Sequence, residues 1–297
     1  MILSIEAPAK INLFLSVCGR RPDGYHELDT LMAKLHLADT LAIEITDRAG
    51  IELACAGADL PTDEGNIAWR AAAAALTAAG RSGVGVRIRL DKRIPVAAGL
   101  GGGSSDAAAV LLALDRLLDL GLGVERLAEL AVRLGADVPF FVRPWAVARA
   151  RGIGEQLAPA SLERPWSVVL VNPGFRVSTR WVFENFALTS PGDPYMLGRN
   201  KIGGSRGATR PAPSHFHNDL ERVTTIRYPE LRRIKAALLE TGAEVALMSG
   251  SGPTVFGLFA DEKNAEQCRQ RLAGRYPWVV RTAIRTGGPR LEDLVER

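Results

Sequence analysis

Between residues 95 and 106 the chain reads Pro95-Val96-Ala97-Ala98-Gly99-Leu100-Gly101-Gly102-Gly103-Ser104-Ser105-Asp106. Four of the five residues from Gly99 to Gly103 are glycine, and two serines follow them. The segment therefore offers successive backbone N–H groups and hydroxyls, with no bulky side chain to keep a polyphosphate away. Where such a loop opens a helix, the unpaired amides and the positive end of the helix dipole strengthen its affinity for anions. A plain strand-to-helix turn needs only one glycine, so this composition predicts a phosphate-binding loop.

The residues on either side of the loop predict a strand before it and a helix after it. Val84, Val86, Ile88 and Leu90 alternate with glycine or arginine, which is the period of a half-buried strand. From Ser104 onward, apolar residues recur at helical spacing. The same patterns predict helices from the Asn66 cap to Gly80 and over residues 124–134, 181–186, 229–241 and 261–272, and strands over 167–171, 244–248, 254–259 and 279–286.

The spacing within the loop excludes two common nucleotide-binding motifs. The ordinary P-loop needs a Gly-Lys pair before Ser or Thr, and this chain contains no Gly-Lys dipeptide. A dinucleotide-binding loop needs G-x-G-x-x-G, but counting from Gly99 the last position is Ser104. Asp119 stands where an acidic ribose ligand is expected, yet it falls inside a predicted helix. A nicotinamide-dependent dehydrogenase is therefore a disfavoured alternative.

Size and charge narrow the class of protein. With 297 residues, 47% of them hydrophobic, the chain can bury a large core, and we expect two domains, 1–162 and 163–297. The net charge is only +4, with basic residues spread throughout, which favours a small anionic ligand over a nucleic acid.

Cysteine usage and the apolar runs bear on the compartment. Cys18, Cys55 and Cys268 are widely separated, which predicts a reducing environment rather than a disulfide framework or a zinc site. Glu6 and Lys10 interrupt the N-terminus too early for a signal peptide, and no apolar run reaches the ~18 residues of a membrane span. We expect a cytoplasmic protein that binds no membrane and is a monomer or a weak homodimer.

Three motifs together resemble those of the GHMP kinase superfamily, which includes galactose, homoserine, mevalonate and phosphomevalonate kinases. The glycine loop is the second motif. The first and third read Ala7-Pro8-Ala9-Lys10-Ile11-Asn12 and Met248-Ser249-Gly250-Ser251-Gly252-Pro253-Thr254-Val255-Phe256, and their order and spacing agree over nearly the whole chain. The resemblance implies an α+β fold with an N-terminal domain like domain 2 of ribosomal protein S5 and a ferredoxin-like C-terminal domain. It also implies a kinase that binds ATP on the loop from Pro95 to Ser105 and at Asn66.

Further motifs resemble the branch that phosphorylates the 2-hydroxyl of a small-molecule cytidyl diphosphate in the non-mevalonate isoprenoid pathway. They read Lys10-Ile11-Asn12-Leu13-Phe14-Leu15, Gly24-Tyr25-His26-Glu27-Leu28, Gly135-Ala136-Asp137-Val138-Pro139-Phe140 and Gly152-Ile153-Gly154-Glu155. On this pattern Asp137 is the general base beside the acceptor hydroxyl. Lys10 keeps that carboxylate ionised and stabilises charge on the transferring phosphate. Without the motif, the preferred interpretation of Asp137 is a helix N-cap or a surface turn residue, and Lys10 is then a solvated lysine at a strand end.

The same resemblance assigns the cytosine of the substrate to Tyr25 and His26. The tyrosine ring stacks on the base, and the imidazole region reads its edge. Neither residue belongs to an apolar periodicity. Phe183 is a candidate for the opposite stacking face, but it is also a candidate core aromatic of the predicted helix over residues 181–186, and both interpretations stay open.

Further assignments complete the predicted site. Asn12 orients the acceptor, and Ser249 and Gly250 contact the substrate from the turn in the third motif, although all three also fit ordinary turn positions. The pair Lys92-Arg93 resembles the rim of the nucleotide site.

No metal-binding side chain is predicted. Mg²⁺ is expected with the ATP, held mainly through phosphate oxygens. His215 and His217 lack a third ligand, so they are more typical of surface polar groups. Residues 190–213, rich in proline and glycine, are expected to form a long surface loop. The alternatives that remain are another GHMP small-molecule kinase, of homoserine or mevalonate type, and a catalytically silent nucleotide-binding regulator.

Overall fold

The structure, a computed structural model, describes residues 2–186, 212–287 and 295–296. Most of the predicted loop over residues 190–213 therefore lies outside the described residues. The contacts divide the chain into two compact units. Unit 1 comprises residues 1–11, 34–146 and 282–297, and unit 2 comprises residues 12–33 and 147–281. The units interleave along the sequence because two long strands each contribute residues to both, whereas the sequence pattern predicts a single boundary after residue 162. That boundary stays a prediction.

Unit 1 is built on a mixed sheet with helices packed on it. The two long strands are β1 (Ile2–Arg20) and β2 (His26–Thr46), and they are followed by β3 (Gly50–Ala56) and β4 (Gly85–Asp91). The strand order is β12-β1-β2-β4-β3, where β12 is Val295–Glu296. Strand β4 runs antiparallel to β2 and parallel to β3. The helices of this unit are α1 (Ile67–Ala78), α2 (Gly102–Leu117), α3 (Gly123–Leu134) and α4 (Val138–Val142).

Unit 2 contains a four-stranded sheet in the order β11-β7-β10-β9. These strands are β7 (Ser167–Asn172), β9 (Val245–Met248), β10 (Val255–Phe259) and β11 (Trp278–Ala283). Its helices are α5 (Thr179–Asn185), α6 (Glu221–Arg227), α7 (Glu230–Glu240) and α8 (Glu262–Leu272). In the same unit, β5 (Val147–Gly152) pairs with β2 and with β6 (Gln156–Ala160), and the short β8 (His217–Asn218) pairs with β1.

Local sequence signals explain where the helices begin and end. The Asn66 side chain accepts a hydrogen bond from the Ala68 amide at the start of α1, and Asp261 caps α8 in the same way. Gly135 ends α3, as predicted. Most predicted elements are present within two residues of their expected limits. The last strand is shorter than predicted, because β11 ends at Ala283.

A fully buried lysine lies in the core of unit 1. Lys34 is 0% exposed, and its ammonium donates to the carbonyl oxygens of Arg143 at 2.7 Å and Phe141 at 3.4 Å. The Nζ atom also lies 4.9 Å from the centroid of the Phe140 ring. These contacts satisfy carbonyl groups at the C-terminal end of α4, the helix that follows Asp137. Lys34 therefore holds in place the segment that carries the predicted base.

Burial, and to a lesser degree Arg285, lowers the pKa of Lys34 from its ordinary 10.5 to about 7. Between these values the unfolded chain binds more protons than the folded chain, so raising the pH stabilises the fold. We expect the free energy of unfolding of the wild type, relative to that of Lys34→Met, to increase by about 2 kcal/mol between about pH 7 and about pH 9. Urea unfolding at both pH values measures the shift, and Lys263→Met, which replaces an exposed lysine, is the control. A difference independent of pH would show that Lys34 titrates normally.

Candidate active site

The glycine loop follows β4 and leads into α2, as its sequence predicts. Gly99 and Gly101 have φ values of 78° and 70°, the left-handed region that favours glycine. Ala97 has a φ of 52°, so an alanine here adopts a conformation that costs roughly 1–2 kcal/mol. Because α2 begins at Gly102, the loop ends on unpaired amides at a helix N-terminus.

The loop lines a cavity of about 370 Å³ within unit 1. The other walls come from the start of α1, the segment before it and the end of β4. The lining residues are Leu60, Pro61, Gly65, Asn66, Ile67, Arg70, Lys92, Pro95, Val96, Ala97, Ala98, Gly99, Gly101, Gly102, Gly103, Ser104 and Asp106. Two predicted ATP ligands, Leu100 and Ser105, are buried and do not belong to this lining.

The predicted catalytic lysine lies directly against the loop. The Lys10 amide donates to the Leu100 carbonyl at 2.8 Å. A Cβ atom on Gly101 would lie 2.9 Å from Lys10 Cγ and 3.0 Å from the Phe141 ring, so this position has no room for a side chain. The loop and β1 are therefore packed as closely as a glycine allows.

Lys10 and Asp137 form an ion pair, with 3.4 Å between Nζ and Oδ2. The Lys10 side chain is 6% exposed and that of Asp137 is 37% exposed. Asp137 precedes α4, but its side chain makes no capping hydrogen bond to that helix. The carboxylate thus pairs with the lysine instead of capping the helix. Unit 1 brings together the glycine loop, a buried cation and an accessible carboxylate.

Asn66 has a structural role beside the cavity. Its Oδ1 accepts from the Ala68 amide at 2.9 Å, and its Nδ2 donates to the Pro61 carbonyl at 2.9 Å. The side chain therefore joins the start of α1 to the preceding loop. Asn66 shapes this wall of the cavity through those two bonds.

A buried charged cluster beside the loop was not predicted from the sequence. Lys92, which was assigned to the rim, bonds both Asp39 and Asp106, with 2.7 Å to Asp106 Oδ2. Asp39 and Asp106 are 0% and 2% exposed. The sequence offers one signal of this cluster, which is that Asp39 and Asp106 each stand beside apolar residues. Asp39 is 53 residues from Lys92, and Lys92 is 14 residues from Asp106, so the sheet and the helix are needed to bring the three together.

The predicted base-binding residues lie in unit 2. Tyr25 is 61% exposed and sits on a tight turn, in which the Arg21 amide donates to the Tyr25 carbonyl at 2.7 Å. The His26 ring lies 5.1 Å from the Phe183 ring, centroid to centroid, at an angle of 31°. Partial burial, and then Arg20, lowers the pKa of His26. A neutral imidazole offers one donor and one acceptor, which suits the edge of a base.

The other predicted substrate ligands, Asn12, Ser249 and Gly250, lie in segments that side-chain hydrogen bonds hold in place. Asn12 is 2% exposed and its amide donates to the Thr30 hydroxyl at 2.9 Å. Ser249 is fully buried, and Gly250 has a φ of 57°. Asn218 donates to the carbonyls of Met248 and Gly250, both at 2.7 Å. The turn of the third motif is therefore held rigidly within unit 2.

The described residues contain neither a metal-binding cluster nor a membrane-spanning helix. Within those ranges, no group of three His, Cys, Asp or Glu side chains is arranged to hold a metal ion. His217 instead bonds the Ser16 hydroxyl and the His215 carbonyl, each at 2.8 Å. In the same part of the chain, every helix is too short or too polar to cross a bilayer.

Comparisons with known proteins identify the family of this chain. The family model for the GHMP kinase N-terminal domain matches residues 66–143, and that for the GHMP kinase C-terminal domain matches residues 209–277. A 4-diphosphocytidyl-2-C-methyl-D-erythritol kinase from Citrifermentans bemidjiense is 47% identical over 286 residues, covering 96% of this chain and 99% of the relative. A kinase of the same name from Geobacter sulfurreducens is 45% identical over 284 residues, with 96% and 99% coverage. The chain belongs to the 4-diphosphocytidyl-2-C-methyl-D-erythritol kinase family.

Solved structures support the assignment of this chain to the 4-diphosphocytidyl-2-C-methyl-D-erythritol kinase family. A crystal structure of a 4-(cytidine 5'-diphospho)-2C-methyl-D-erythritol kinase matches with a TM-score of 0.77 and 40% identity, covering 95% of this chain and 98% of that one. A homoserine kinase from Cytophaga hutchinsonii shares the fold, with a TM-score of 0.76 at 19% identity and coverage of 99% and 97%. The predicted α+β GHMP kinase fold is confirmed, and so is the prediction of a small-molecule kinase. Membership of a kinase family implies the use of ATP.

Proposed function

We propose that this family member transfers the γ-phosphate of ATP to the 2-hydroxyl of 4-diphosphocytidyl-2-C-methyl-D-erythritol, in the non-mevalonate isoprenoid pathway. The observation that carries the proposal is the packing of Lys10 against the glycine loop, with Asp137 at 3.4 Å from its ammonium. A phosphate donor, a cation and a base are the groups that phosphoryl transfer to an alcohol requires.

The nucleotide is assigned to the cavity lined by the loop. The amides at the start of α2 and the Ser104 hydroxyl are donors for phosphate oxygens. The wall formed by Leu60, Pro61 and Ile67 supplies apolar surface for a base. Asn66 then acts through the shape of that wall, since its side-chain bonds are made to α1 and Pro61.

The acceptor hydroxyl is assigned to Asp137. The carboxylate accepts the hydroxyl proton as the oxygen attacks the γ-phosphorus, while ADP leaves with the bridging oxygen. Lys10 pairs with the carboxylate and balances the charge that develops on the transferring phosphate. Both roles need the short separation of the two groups, and the partial exposure of Asp137 leaves it accessible to a substrate.

The cytosine is assigned to Tyr25, His26 and Phe183. The exposed Tyr25 ring offers a stacking face, and a neutral His26 packed on Phe183 presents its nitrogen atoms in a fixed orientation. Asn12 orients the acceptor, and Ser249 and Gly250 contact the substrate through a rigid turn.

Mg²⁺ is proposed to accompany the triphosphate. The residues that line the cavity include a single carboxylate, Asp106, whose Oδ2 already bonds Lys92, so they do not supply the several oxygen ligands of an ion held by the protein. Phosphate oxygens and water are then the ligands. A cytoplasmic location, as a monomer or a weak homodimer with no nucleic-acid partner, is part of the same proposal.

The test is the position of the new phosphate. After incubation with ATP, magnesium and the cytidyl substrate, ³¹P NMR of the product should show the intact diphosphate signals and a new phosphomonoester signal. That signal should be unsplit by protons, because the carbon of the tertiary 2-hydroxyl carries no hydrogen. A phosphate on another hydroxyl, or no phosphomonoester with folded protein, would refute the proposed reaction.

A further inference from the structure

The cluster of Lys92, Asp39 and Asp106 connects the two ends of the glycine loop. Lys92 lies immediately after β4, where the chain enters the loop, and Asp106 lies in the first turns of α2, where the chain leaves it. The Lys92 ammonium bonds Asp39 and, at 2.7 Å, Asp106 Oδ2. All three side chains are at most 4% exposed. The loop is thus closed at its base by a buried charged bridge.

Asp39 also fixes the backbone at the loop entrance. Its Oδ1 accepts hydrogen bonds from the amides of Arg93 at 2.6 Å and Ile94 at 2.9 Å. A Cβ atom on Gly102 would lie 3.2 Å from Lys92 Nζ, so the bridge touches the first residue of α2 as well. Displacement of any one of the three side chains would therefore move backbone that forms the phosphate site.

The cluster carries one positive and two negative groups beside an anion site. Asp106 Oδ1 is buried and has no hydrogen-bond partner among the described residues, and Asp106 lines the cavity. Burial raises the pKa of Asp106. Lys92 lowers this pKa and Asp39 raises it further, so that it lies at about 7. Burial by itself lowers the pKa of Lys92, but the two carboxylates outweigh it and raise the pKa.

The surroundings of Asp106 contain few other charges. Cys55 on β3 is within electrostatic range of the cluster, and Arg70 of α1 lines the same cavity. The buried residues of α3 and α4, which pack on α2, are all apolar. The charge state of the cluster therefore depends mainly on Lys92, Asp39 and whatever occupies the cavity.

We propose that Asp39, Lys92 and Asp106 are positioning residues that hold both ends of the glycine loop, and that a nucleotide polyphosphate binding there draws one proton onto Asp106. With both carboxylates ionised the cluster has a net charge of −1, which repels the polyphosphate. Protonation of Asp106 removes that charge, and its hydroxyl can still bond within the cluster. This inference rests on the nucleotide site proposed above.

Calorimetry of ATP binding with excess Mg²⁺ and no acceptor tests the proton step. The titration is repeated at about pH 8 in buffers of different ionisation enthalpy, because the slope of binding enthalpy against that enthalpy counts protons. We expect the wild type to take up close to one proton. Asp106→Asn should bind ATP without uptake, and Glu52→Gln, an exposed carboxylate paired with Arg87, should behave as the wild type.

Each result decides the inference. ATP binding by the wild type without proton uptake overturns it while leaving the nucleotide site intact, and absence of binding overturns both. Uptake that persists in Asp106→Asn also overturns it. If that variant does not fold, Asp39→Asn serves instead, because it keeps an acceptor for the two amides but removes a charge. We expect its uptake to fall below half of the wild-type value, and an unchanged uptake contradicts the inference.

Discussion

Replacement of Asp137 by Asn is expected to lower turnover roughly 10²- to 10⁴-fold, the usual contribution of a positioned base. The amide keeps the size of the side chain but accepts no proton from the acceptor hydroxyl, and it breaks the ion pair with Lys10. Because Asp137 makes no capping bond and is 37% exposed, the substitution should not unfold the protein. Steady-state kinetics with the cytidyl substrate measure the loss, which should appear in kcat with little change in the KM for ATP.

The control for this variant is Glu129→Gln, an exposed carboxylate on α3 that pairs with Arg126. It should retain wild-type turnover. If Asp137→Asn keeps turnover within a few-fold of the wild type while remaining folded, Asp137 is not the base. Phosphoryl transfer would then depend on positioning and charge alone.

Replacement of Tyr25 by Ala is expected to raise the KM for the cytidyl substrate roughly 5- to 150-fold, because base stacking on an aromatic ring contributes about 1–3 kcal/mol. The ring is 61% exposed, so its removal costs little packing. The KM for ATP should stay unchanged, since the nucleotide is assigned to the cavity in unit 1. Initial rates with each substrate varied in turn give both constants.

Tyr25→Phe is the matched variant, because it keeps the ring and removes only the hydroxyl. It should retain most of the affinity for the cytidyl substrate. Equal increases of both KM values in Tyr25→Ala, or an equal effect of Phe and Ala, would argue against stacking on the base.

The sequence predicted the parts of the fold that depend on local patterns. The strand, glycine loop and helix around Gly99 were readable because periodicity, glycine content and serine content agree over a short segment. The Asn66 cap was equally local. The second hydrogen bond of the Asn66 side chain, to the Pro61 carbonyl, could not be predicted, because it depends on the path of the preceding loop.

Contacts between distant residues were beyond the sequence. Asp39 and Lys92 are separated by 53 residues, and only the pairing of β2 with β4 brings them together. Lys34 lies in an apolar strand pattern that gives no sign of its two carbonyl partners. Each of the two long strands contributes residues to both units, so the units interleave along the chain, and a single boundary in the sequence cannot describe them.

Selection of a cytidyl diphosphate alcohol as the acceptor is the property that distinguishes this kinase from the other proposed alternatives. The most direct measurement is a competition in which ATP labelled at the γ-phosphate is offered equal concentrations of 4-diphosphocytidyl-2-C-methyl-D-erythritol, mevalonate and homoserine. We expect nearly all transferred label on the cytidyl compound, and loss of that preference in Tyr25→Ala. Label mainly on mevalonate or homoserine would keep the fold and the phosphate loop but contradict the proposed substrate.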